Sequence, residues 1–195
     1  MGFGSSYNEK TFNICRPVLE ELLSKNVDFI IFGGFAIYLN TLNYAIEKGQ
    51  GENRDIFRET EDIDIISKSV IESIKSIENI LEIYLDDKES IKNILKYANN
   101  SDGQSIELPE ERGIDIVSKI QGLSAQDINF IEIEHKGLQL KVATPEILLK
   151  MKVKMVELYG VDGVRKKDIE DIGVLKHIVE ANTTKNVRKK GMLWR

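Results

Sequence analysis

The sequence predicts an α+β (α/β-like) fold, because short apolar segments rich in β-branched residues alternate with amphipathic helical segments. The chain has 195 residues, which suits a single domain. Its hydrophobic content of 42% and charged content of 30% are ordinary for a globular protein. We therefore expect one domain over residues 1–195, comprising a core over about 27–142, a C-terminal helical part over about 144–180 and a basic tail over 183–195.

Composition and charge exclude several classes of protein. The formal net charge of −5 argues against a general polyanion binder. A single cysteine, Cys15, excludes an intramolecular disulfide and fits a reducing compartment. The first ten residues lack the basic and apolar regions of a signal peptide, and no apolar run approaches the ~20 residues that span a bilayer. We expect a cytoplasmic protein without a membrane partner.

Helical periodicity and strand-like runs alternate through the first half of the chain. Apolar residues at helical spacing predict a helix over about 9–25, and V-D-F-I-I-F predicts a buried strand that ends at Gly33-Gly34. A further helix follows, and residues 47–59 are polar and predict a mobile loop. D-I-D-I-I predicts the next strand, and an apolar stripe over 71–81 predicts one helix, with another over 86–98.

The second half of the chain predicts a short strand, a hairpin and two helices. G-I-D-I-V reads as the strand, and strict alternation around H-K-G indicates a β-hairpin over about 130–142. Thr144 is a predicted helix cap, followed by Pro145 and Glu146 in the first turn. A last helix is expected over about 165–180, and the basic tail is expected to be loosely held.

The two acids in D-I-D are the feature that most needs an explanation. Asp62 and Asp64 interrupt an apolar strand, where an unpaired buried carboxylate is strongly disfavoured. Because side chains alternate between strand faces, both carboxylates project from the same face, about 7 Å apart. Mg²⁺ prefers carboxylate oxygens and keeps water and phosphate oxygens as other ligands. The pair indicates a site for a metal-bound triphosphate, with a solvated sheet face as the alternative interpretation.

Other features are compatible with the same chemistry, although each has a structural alternative. Gly33-Gly34 lies between a strand and a helix, where backbone N–H groups and the helix dipole favour phosphate. Asp115 is a third acid on a predicted strand and would serve two-metal phosphoryl chemistry, or it is an edge-strand acid. Lys152 flanks the apolar stripe of its helix. Asp168 occupies a position where an apolar residue is expected, or it stabilises the start of the helix.

Five segments taken together resemble the nucleotidyltransferase superfamily with the polymerase-β-like core. They are I-F-G-G-F-A-I-Y-L, R-E-T-E-D-I-D-I, G-I-D-I-V, A-T-P-E-I-L-L-K-M-K-V-K and R-K-K-D-I-E-D-I, and they extend from about residue 27 to 180. The final K … K-D-x-x-D part looks most like abortive-infection (AbiEii-like) toxins and minimal nucleotidyltransferases. The resemblance implies a small mixed sheet flanked by helices, with C-terminal helices completing a cleft.

The resemblance also implies a role for each matching residue. Mg²⁺, with Mn²⁺ as a substitute, would bind Asp62, Asp64 and Asp115, and Asp115 would help to deprotonate the acceptor hydroxyl. The implied nucleotide-binding residues are Gly33, Gly34, Arg58, Thr60, Lys152 and Asp168. Arg58 and Thr60 would contact phosphate or brace the loop. Position 34 is Gly where many members have Ser, so that only backbone donors would contact phosphate there.

The implied function is transfer of NMP from an NTP to an acceptor hydroxyl, within an abortive-infection or toxin–antitoxin system. The acceptor could be a tRNA end, a protein or a small molecule, and a toxin or antitoxin partner is implied. One alternative is a catalytically silent nucleotide-binding or antitoxin module of the same fold. A glycosyltransferase that uses the D-x-D pair is another, but it would need neither Gly-Gly nor the third acid.

Three further polar residues are expected to be structural. His135 lies in the predicted hairpin turn, where it should be exposed, and His177 should be at least partly exposed on the last helix. Neither has Cys or His companions at zinc-site spacing. Cys15 lies on an apolar helix face and is expected in the core.

Overall fold

A six-stranded mixed β-sheet is the central element of the fold in this computed structural model. The structure describes the backbone of residues 3–49, 59–85 and 87–192. It describes the side chains of residues 7–49, 59–85 and 87–184. The strands are β1 (Phe29–Phe32), β2 (Asp62–Ser67), β3 (Gly103–Leu108), β4 (Arg112–Val117), β5 (Lys119–Ile120), β6 (Leu123–Ser124), β7 (Phe130–His135) and β8 (Leu138–Ala143). The helices are α1 (Phe3–Ser24), α2 (Gly33–Glu47), α3 (Val70–Ser76), α4 (Glu78–Leu85), α5 (Lys88–Ala98), α6 (Pro145–Tyr159) and α7 (Lys166–Met192).

The sheet has the strand order β3-β4-β2-β1-β8-β7, and β5 and β6 form a separate small hairpin. The pairs β2/β4 and β1/β8 are parallel, whereas β1/β2, β3/β4 and β7/β8 are antiparallel. This arrangement confirms the predicted mixed sheet flanked by helices. Within the described ranges, no helix is both long and apolar enough to cross a membrane.

The core lies between the sheet and the helices that pack on it. β1 is buried along its whole length, and Ile63 and Ile65 on β2 are fully buried. The predicted stripe of α1 is also in the core, with Phe12 and Leu19 inaccessible to solvent. α2 is apolar on most of its surface because it packs against β1, β2, β8, α6 and α7.

Several predicted boundaries are wrong. The helix expected over 71–81 is two helices that separate at Ile77, and the last helix continues to Met192 through most of the predicted basic tail. The start of the chain is helical from Phe3. β3 has no counterpart among the predicted elements. Most of the polar loop predicted over 47–59 lies outside the described residues.

Candidate active site

Three carboxylates lie on one face of the sheet where β2 and β4 run side by side. Asp62 and Asp64 alternate with the buried Ile63 and Ile65, so both acids project from the opposite face, as the strand period predicts. Asp115 on β4 is the direct neighbour of Asp64 in the parallel pairing. The position on β4 next to Asp62 is Gly113, where a Cβ atom would lie 2.8 Å from Oδ1 of Asp62.

The Gly33-Gly34 turn meets the same carboxylates from the end of β1. Gly33 has φ +66°, and a Cβ atom there would lie 1.9 Å from Oδ2 of Asp64, so this position has no room for a side chain. No side chain caps the start of α2 from Phe32. Instead, the Gly34 N–H donates a hydrogen bond to the Asp64 carboxylate. The first turn of α2 is therefore joined directly to an acid of β2.

The electrostatics of the acids reflect burial and mutual repulsion. Burial, together with the charges of Asp115 and Asp62, raises the pKa of Asp64 to about 6, although the Gly34 N–H and the charge of Lys152 act in the opposite direction. Burial and the neighbouring charges of Asp115 and Glu61 also raise the pKa of Asp62. A bound cation would oppose this repulsion, because it favours the charged form of each carboxylate.

The donor set suits a hard cation that takes only part of its ligands from the protein. Carboxylate oxygens are the ligands that Mg²⁺ prefers, and Mg²⁺ usually retains waters and substrate phosphates. Among the described residues, no group of three or more His, Cys, Asp or Glu side chains is arranged so that it could hold a metal ion. Asp62, Asp64 and Asp115 offer the carboxylate oxygens that Mg²⁺ prefers, but as they stand they do not form a metal site by themselves.

The N-terminal helix α1 holds the segment that leads into β2. The Thr60 N–H donates to Oδ1 of Asn8 at 3.0 Å, and Oγ1 of Thr11 donates to the Thr60 carbonyl at 2.7 Å. Oγ1 of Thr60 in turn donates to the Asp62 carbonyl at 2.9 Å. Thr60 is buried, and its contacts join α1 to the start of the acid-bearing strand. Arg58 lies outside the described residues.

A buried ion cluster joins α6 to α7 beside the acids. Nζ of Lys152 contacts Oδ1 of Asp168 and lies 2.9 Å from Oδ2 of Asp171. Arg165 donates from Nε to Oδ2 of Asp168 at 2.9 Å. Burial raises the pKa of Asp168, but the hydrogen bonds and charges of Arg165 and Lys152 outweigh it and hold the pKa well below its usual value.

A cleft of about 330 Å³ brings most of the predicted site residues together. Its walls include Gly33, Gly34, Thr60, Asp62, Asp64, Asp115 and Lys152. Asp168 is not among the lining residues, because it is buried behind Lys152 with 1% of its surface exposed. The size falls in the range typical of small-molecule sites.

The structure adds residues to the cleft walls beyond the predicted site residues. Arg165 and Lys167 bring positive charge to the wall, and the charge of Lys167 lowers the pKa of Asp62. The R-K-K run before Asp168 was the sequence pattern that could have indicated Arg165 and Lys167 as cleft residues. Gln121, at the tip of the β5–β6 hairpin, donates from Nε2 to the Met151 carbonyl at 3.2 Å. No sequence pattern indicated Gln121.

The expected exposure of His135 is wrong. Its ring is 7% exposed and packs edge-on against Phe12 at 4.6 Å between ring centroids, because β7 ends under α1 and α2. His177 is exposed, as expected, and its ring contacts the hydroxyl of Tyr44. Cys15 is buried, as expected, and donates to the Gly113 carbonyl at 3.4 Å.

The fold resembles solved nucleotidyltransferase structures, although no protein-family profile and no curated protein matches the chain. The structure of ANT(2'')-Ia in complex with adenylyl-2''-tobramycin superposes with a TM-score of 0.55 at 14% identity, over 93% of this chain and 96% of that one. The lincomycin-bound lincosamide antibiotic adenylyltransferase LnuA gives 0.53 at 16% identity, over 85% and 96%. The Megavirus polyadenylate synthase gives 0.55 at 16% identity, over 86% of this chain and 31% of that one.

The superpositions show a shared fold, whereas identities of 14–16% show nothing about the activity of this chain. The six-stranded mixed sheet, its flanking helices and the C-terminal helices beside the cleft agree with the architecture that the motifs imply. The chain therefore has the nucleotidyltransferase fold.

Proposed function

We propose that this chain is a Mg²⁺-dependent nucleotidyltransferase that transfers NMP from an NTP to an acceptor hydroxyl. One observation carries the proposal: Asp62, Asp64 and Asp115 share a sheet face at the point where the Gly33-Gly34 turn enters the cleft. Nucleotidyl transfer is also represented among the similar folds, which include a lincosamide antibiotic adenylyltransferase and a polyadenylate synthase.

The acidic, glycine and basic residues around the cleft would each contribute differently to the proposed reaction. Asp62, Asp64 and Asp115 would hold Mg²⁺, which supplies neutralisation of phosphate charge when it is bound. Because Gly33 and Gly34 have no side chains, the phosphates could approach their backbone N–H groups closely. The cations that line the cleft, Lys152, Arg165 and Lys167, would balance the triphosphate charge. Asp168 serves by holding Lys152 and Arg165 in place.

The proposed reaction is an in-line displacement at the α-phosphorus. The acceptor oxygen forms a bond to that phosphorus while the bond to the bridging oxygen breaks, and pyrophosphate leaves with the electron pair. The hydroxyl proton passes to the Asp115 carboxylate. We assign most of the rate enhancement to positioning and electrostatic stabilisation, because in this reaction the protein itself takes little part in bond making and breaking.

The first test is label transfer from each α-labelled NTP, with Mg²⁺ and total cell extract as the source of acceptor. We expect the native chain to release pyrophosphate and to label an acceptor. Asp62→Asn and Asp64→Asn should each reduce transfer at least 100-fold without changing the folded circular dichroism spectrum. Glu134→Gln, an exposed acid on β7, is the control. Full activity in both Asn variants would show that the metal-site assignment is wrong.

A catalytically silent nucleotide-binding module is the second candidate, and one observation favours it. The charge of Lys152 is already balanced by two carboxylates, Asp168 and Asp171, which limits the charge it can offer to a phosphate. Nucleotide binding by the native chain with no pyrophosphate release and no labelled product would select this candidate. A strong preference for a sugar nucleotide over all four NTPs would instead indicate the D-x-D glycosyltransferase.

We also propose that the chain acts in an abortive-infection or toxin–antitoxin system. Support comes from the K … K-D-x-x-D segment, whose Lys152, Asp168 and Asp171 form one buried ion cluster. Controlled expression in a bacterial host should slow growth, and the Asp62→Asn, Asp64→Asn double variant should not. Equal growth of cells that express either chain at matched levels would contradict a toxic role.

A further inference from the structure

We propose that the hydroxyl of Tyr7 is an acceptor for nucleotidyl transfer, so that the chain attaches NMP covalently to its own N-terminal helix. The inference rests on the proposed nucleotidyl transfer and adds one acceptor to it. Its basis is the hydrogen bond that the Tyr7 hydroxyl donates and the position of the Tyr7 ring beside the proposed catalytic acids.

The turn of α1 that carries Tyr7 is held against the start of the acid-bearing strand. The neighbouring Asn8 accepts a hydrogen bond from the Thr60 N–H at 3.0 Å, and Thr11 donates to the Thr60 carbonyl at 2.7 Å. Asn8 and Thr11 are both inaccessible to solvent. Because Thr60 is two residues before Asp62, these contacts fix the position of Tyr7 relative to the acid pair.

The Tyr7 hydroxyl donates its proton to an acid next to the site. Its acceptor is Oε1 of Glu61, at a distance of 3.0 Å, and this hydrogen bond is exposed to solvent. Glu61 lines the cleft and immediately precedes Asp62 in the chain. The phenolic oxygen is therefore accessible, and a single side chain joins it to the cleft wall.

Arg112 holds the ring of Tyr7 from the other side. The guanidinium carbon of Arg112 lies 4.2 Å from the Tyr7 ring centroid, where a cation attracts the ring. Arg112 is buried and donates from Nη1 to two backbone carbonyls, so its own position is fixed. It lines a hollow over β3 and β4 that Asp62 and Asp115 also line. Two separate contacts thus place Tyr7 beside Asp62.

The hydroxyls of the two nearby threonines are engaged differently. Oγ1 of Thr11 donates to the Thr60 carbonyl, and Oγ1 of Thr60 donates to the Asp62 carbonyl at 2.9 Å. Both threonines are buried, and a backbone carbonyl does not take up a proton from a hydroxyl. A carboxylate can do so, which makes Tyr7 the suitable nucleophile among the three.

The position of Tyr7 is also compatible with in-line attack. In-line displacement requires the attacking oxygen and the leaving pyrophosphate on opposite sides of the α-phosphorus. The cations proposed to hold the triphosphate, Lys152, Arg165 and Lys167, line the cleft. Tyr7 is not among the cleft-lining residues, and its ring lies on Arg112 of the neighbouring hollow. Its hydroxyl would therefore approach the nucleotide from outside the wall that the cations form.

The reaction joins one NMP group to the chain through a phosphodiester. The phenolic oxygen of Tyr7 forms a bond to the α-phosphorus of the NTP. The bond from that phosphorus to the bridging oxygen breaks, and pyrophosphate leaves with the electron pair. For this acceptor the proton passes to Glu61, to which the hydroxyl already donates, rather than to Asp115.

Mass spectrometry of the intact chain tests the inference. The purified chain is incubated with each NTP and Mg²⁺ in the absence of cell extract. With at least one NTP we expect a mass gain of one nucleotidyl group, which peptide fragmentation places on Tyr7 and which a phosphodiesterase removes. The Asp62→Asn, Asp64→Asn double variant should incorporate at least 100-fold less.

Variants with matched controls identify the acceptor and its base. Tyr7→Phe keeps the ring on Arg112 and should abolish incorporation, whereas Tyr97→Phe, which removes an exposed hydroxyl from α5, should leave it unchanged. Glu61→Gln should slow incorporation at least tenfold, because an amide cannot take up the proton. Glu59→Gln makes the same change of charge at an exposed position two residues away and should stay within twofold of the native rate.

The transfer should occur within one chain, because Tyr7 donates to Glu61 of its own chain. The rate constant of incorporation should then be independent of protein concentration. In a mixture of the Tyr7→Phe chain with the Asp62→Asn, Asp64→Asn chain, neither should be labelled. Labelling of the chain without the acids would show transfer between copies and overturn the intramolecular assignment.

The outcomes separate this inference from the proposed function. Incorporation that depends on both the acids and Tyr7 supports the inference. An unmodified Tyr7, or equal incorporation by the native and Tyr7→Phe chains, would overturn it. If the native chain labels a component of cell extract while Tyr7 stays unmodified, the inference alone fails and nucleotidyl transfer stands. If neither Tyr7 nor any extract component is labelled, both fail.

Discussion

At the scale of single residues, Gly33 combines two constraints that can be separated experimentally. Its φ of +66° disfavours any residue with a Cβ, and its position against Asp64 leaves no space for one. Gly49 has the same φ of +66° with no atom within 4 Å of its would-be Cβ. The two glycines therefore share the conformational constraint and differ in the steric one.

Gly33→Ala should accordingly cost more than Gly49→Ala. Both substitutions incur left-handed strain of roughly 1–2 kcal/mol, and only Gly33→Ala adds overpacking, which typically costs about 1–3 kcal/mol. Urea unfolding should show that difference in the free energy of unfolding. Gly33→Ala should also abolish transfer by displacing the Asp64 carboxylate. Equal stabilities for the two variants would contradict the steric contact.

His135 should make stability depend on pH between 4 and 6.5. Burial lowers its pKa from 6.5 to about 4, with a smaller contribution from Lys136. Between those values the unfolded chain binds a proton that the folded chain does not, so acid favours unfolding. The stability from His135 is fully present above pH 6.5 and is lost as the pH falls towards 4.

The measurement compares the native chain with His135→Phe, which keeps an aromatic ring among Phe12, Phe35 and Tyr38 and removes the titration. Between pH 7 and pH 5 the free energy of unfolding of the native chain should fall by about 2 kcal/mol more than that of the variant, from 1.36 kcal/mol per pKa unit. The comparison cancels the titration of other groups, including Asp64. Parallel pH profiles would show that His135 is not buried in its neutral form.

At the scale of elements, α1 controls the approach of β2 to the site. Thr11→Val should lower the free energy of unfolding by about 1–3 kcal/mol, because it leaves the buried Thr60 carbonyl without its donor. It should also reduce transfer, since Thr60 braces Asp62. Thr11→Ser keeps the hydroxyl and is the control for both measurements. The brace would be refuted if Val and Ser variants had the same activity.

The elements also show which local patterns predict structure and which do not. β2 was predictable because its acids alternate with apolar residues at the strand period. The stripe through Ile71, Ile74, Ile77 and Leu81 keeps a helical period, yet the chain bends at Ile77, where α3 ends and α4 begins. β3 begins with Gly103 and Gln104, which are weak strand formers, and it is stabilised by pairing with β4.

At the scale of the whole molecule, the ion cluster of Lys152, Asp168 and Asp171 fastens α7 to α6. Lys152→Met should lower the free energy of unfolding by about 3–5 kcal/mol, because it leaves two buried carboxylates without that cation. Lys154→Met is the matched control on the same helix. Lys154 is exposed and, among the described residues, donates to the Gln121 carbonyl, so its loss should cost less than about 0.5 kcal/mol. Similar losses in urea unfolding would contradict a structural role for the cluster.

The site could be predicted as a set of residue types, but its internal contacts depend on the complete fold. The acid pair and the Gly-Gly turn are local motifs, so Asp62, Asp64 and Gly33 could be selected from the sequence. The contact of Thr60 with α1 joins segments that no sequence pattern relates. The K … K-D-x-x-D pattern includes Lys152 and Asp171 but does not indicate that they form an ion pair. The burial of His135 likewise depends on Phe12, which is distant in the chain.

Each acid of the D-I-D pair faces a glycine, Gly33 for Asp64 and Gly113 for Asp62, at a distance too short for a methyl group. These pairs should constrain how the protein evolves. As long as both acids remain, selection must keep both glycines. Loss of Asp64 or Asp62 would remove the shortest contact at position 33 or 113, so that each glycine would be constrained less strictly. A descendant that abandons catalysis should therefore lose acids and glycines in matched pairs.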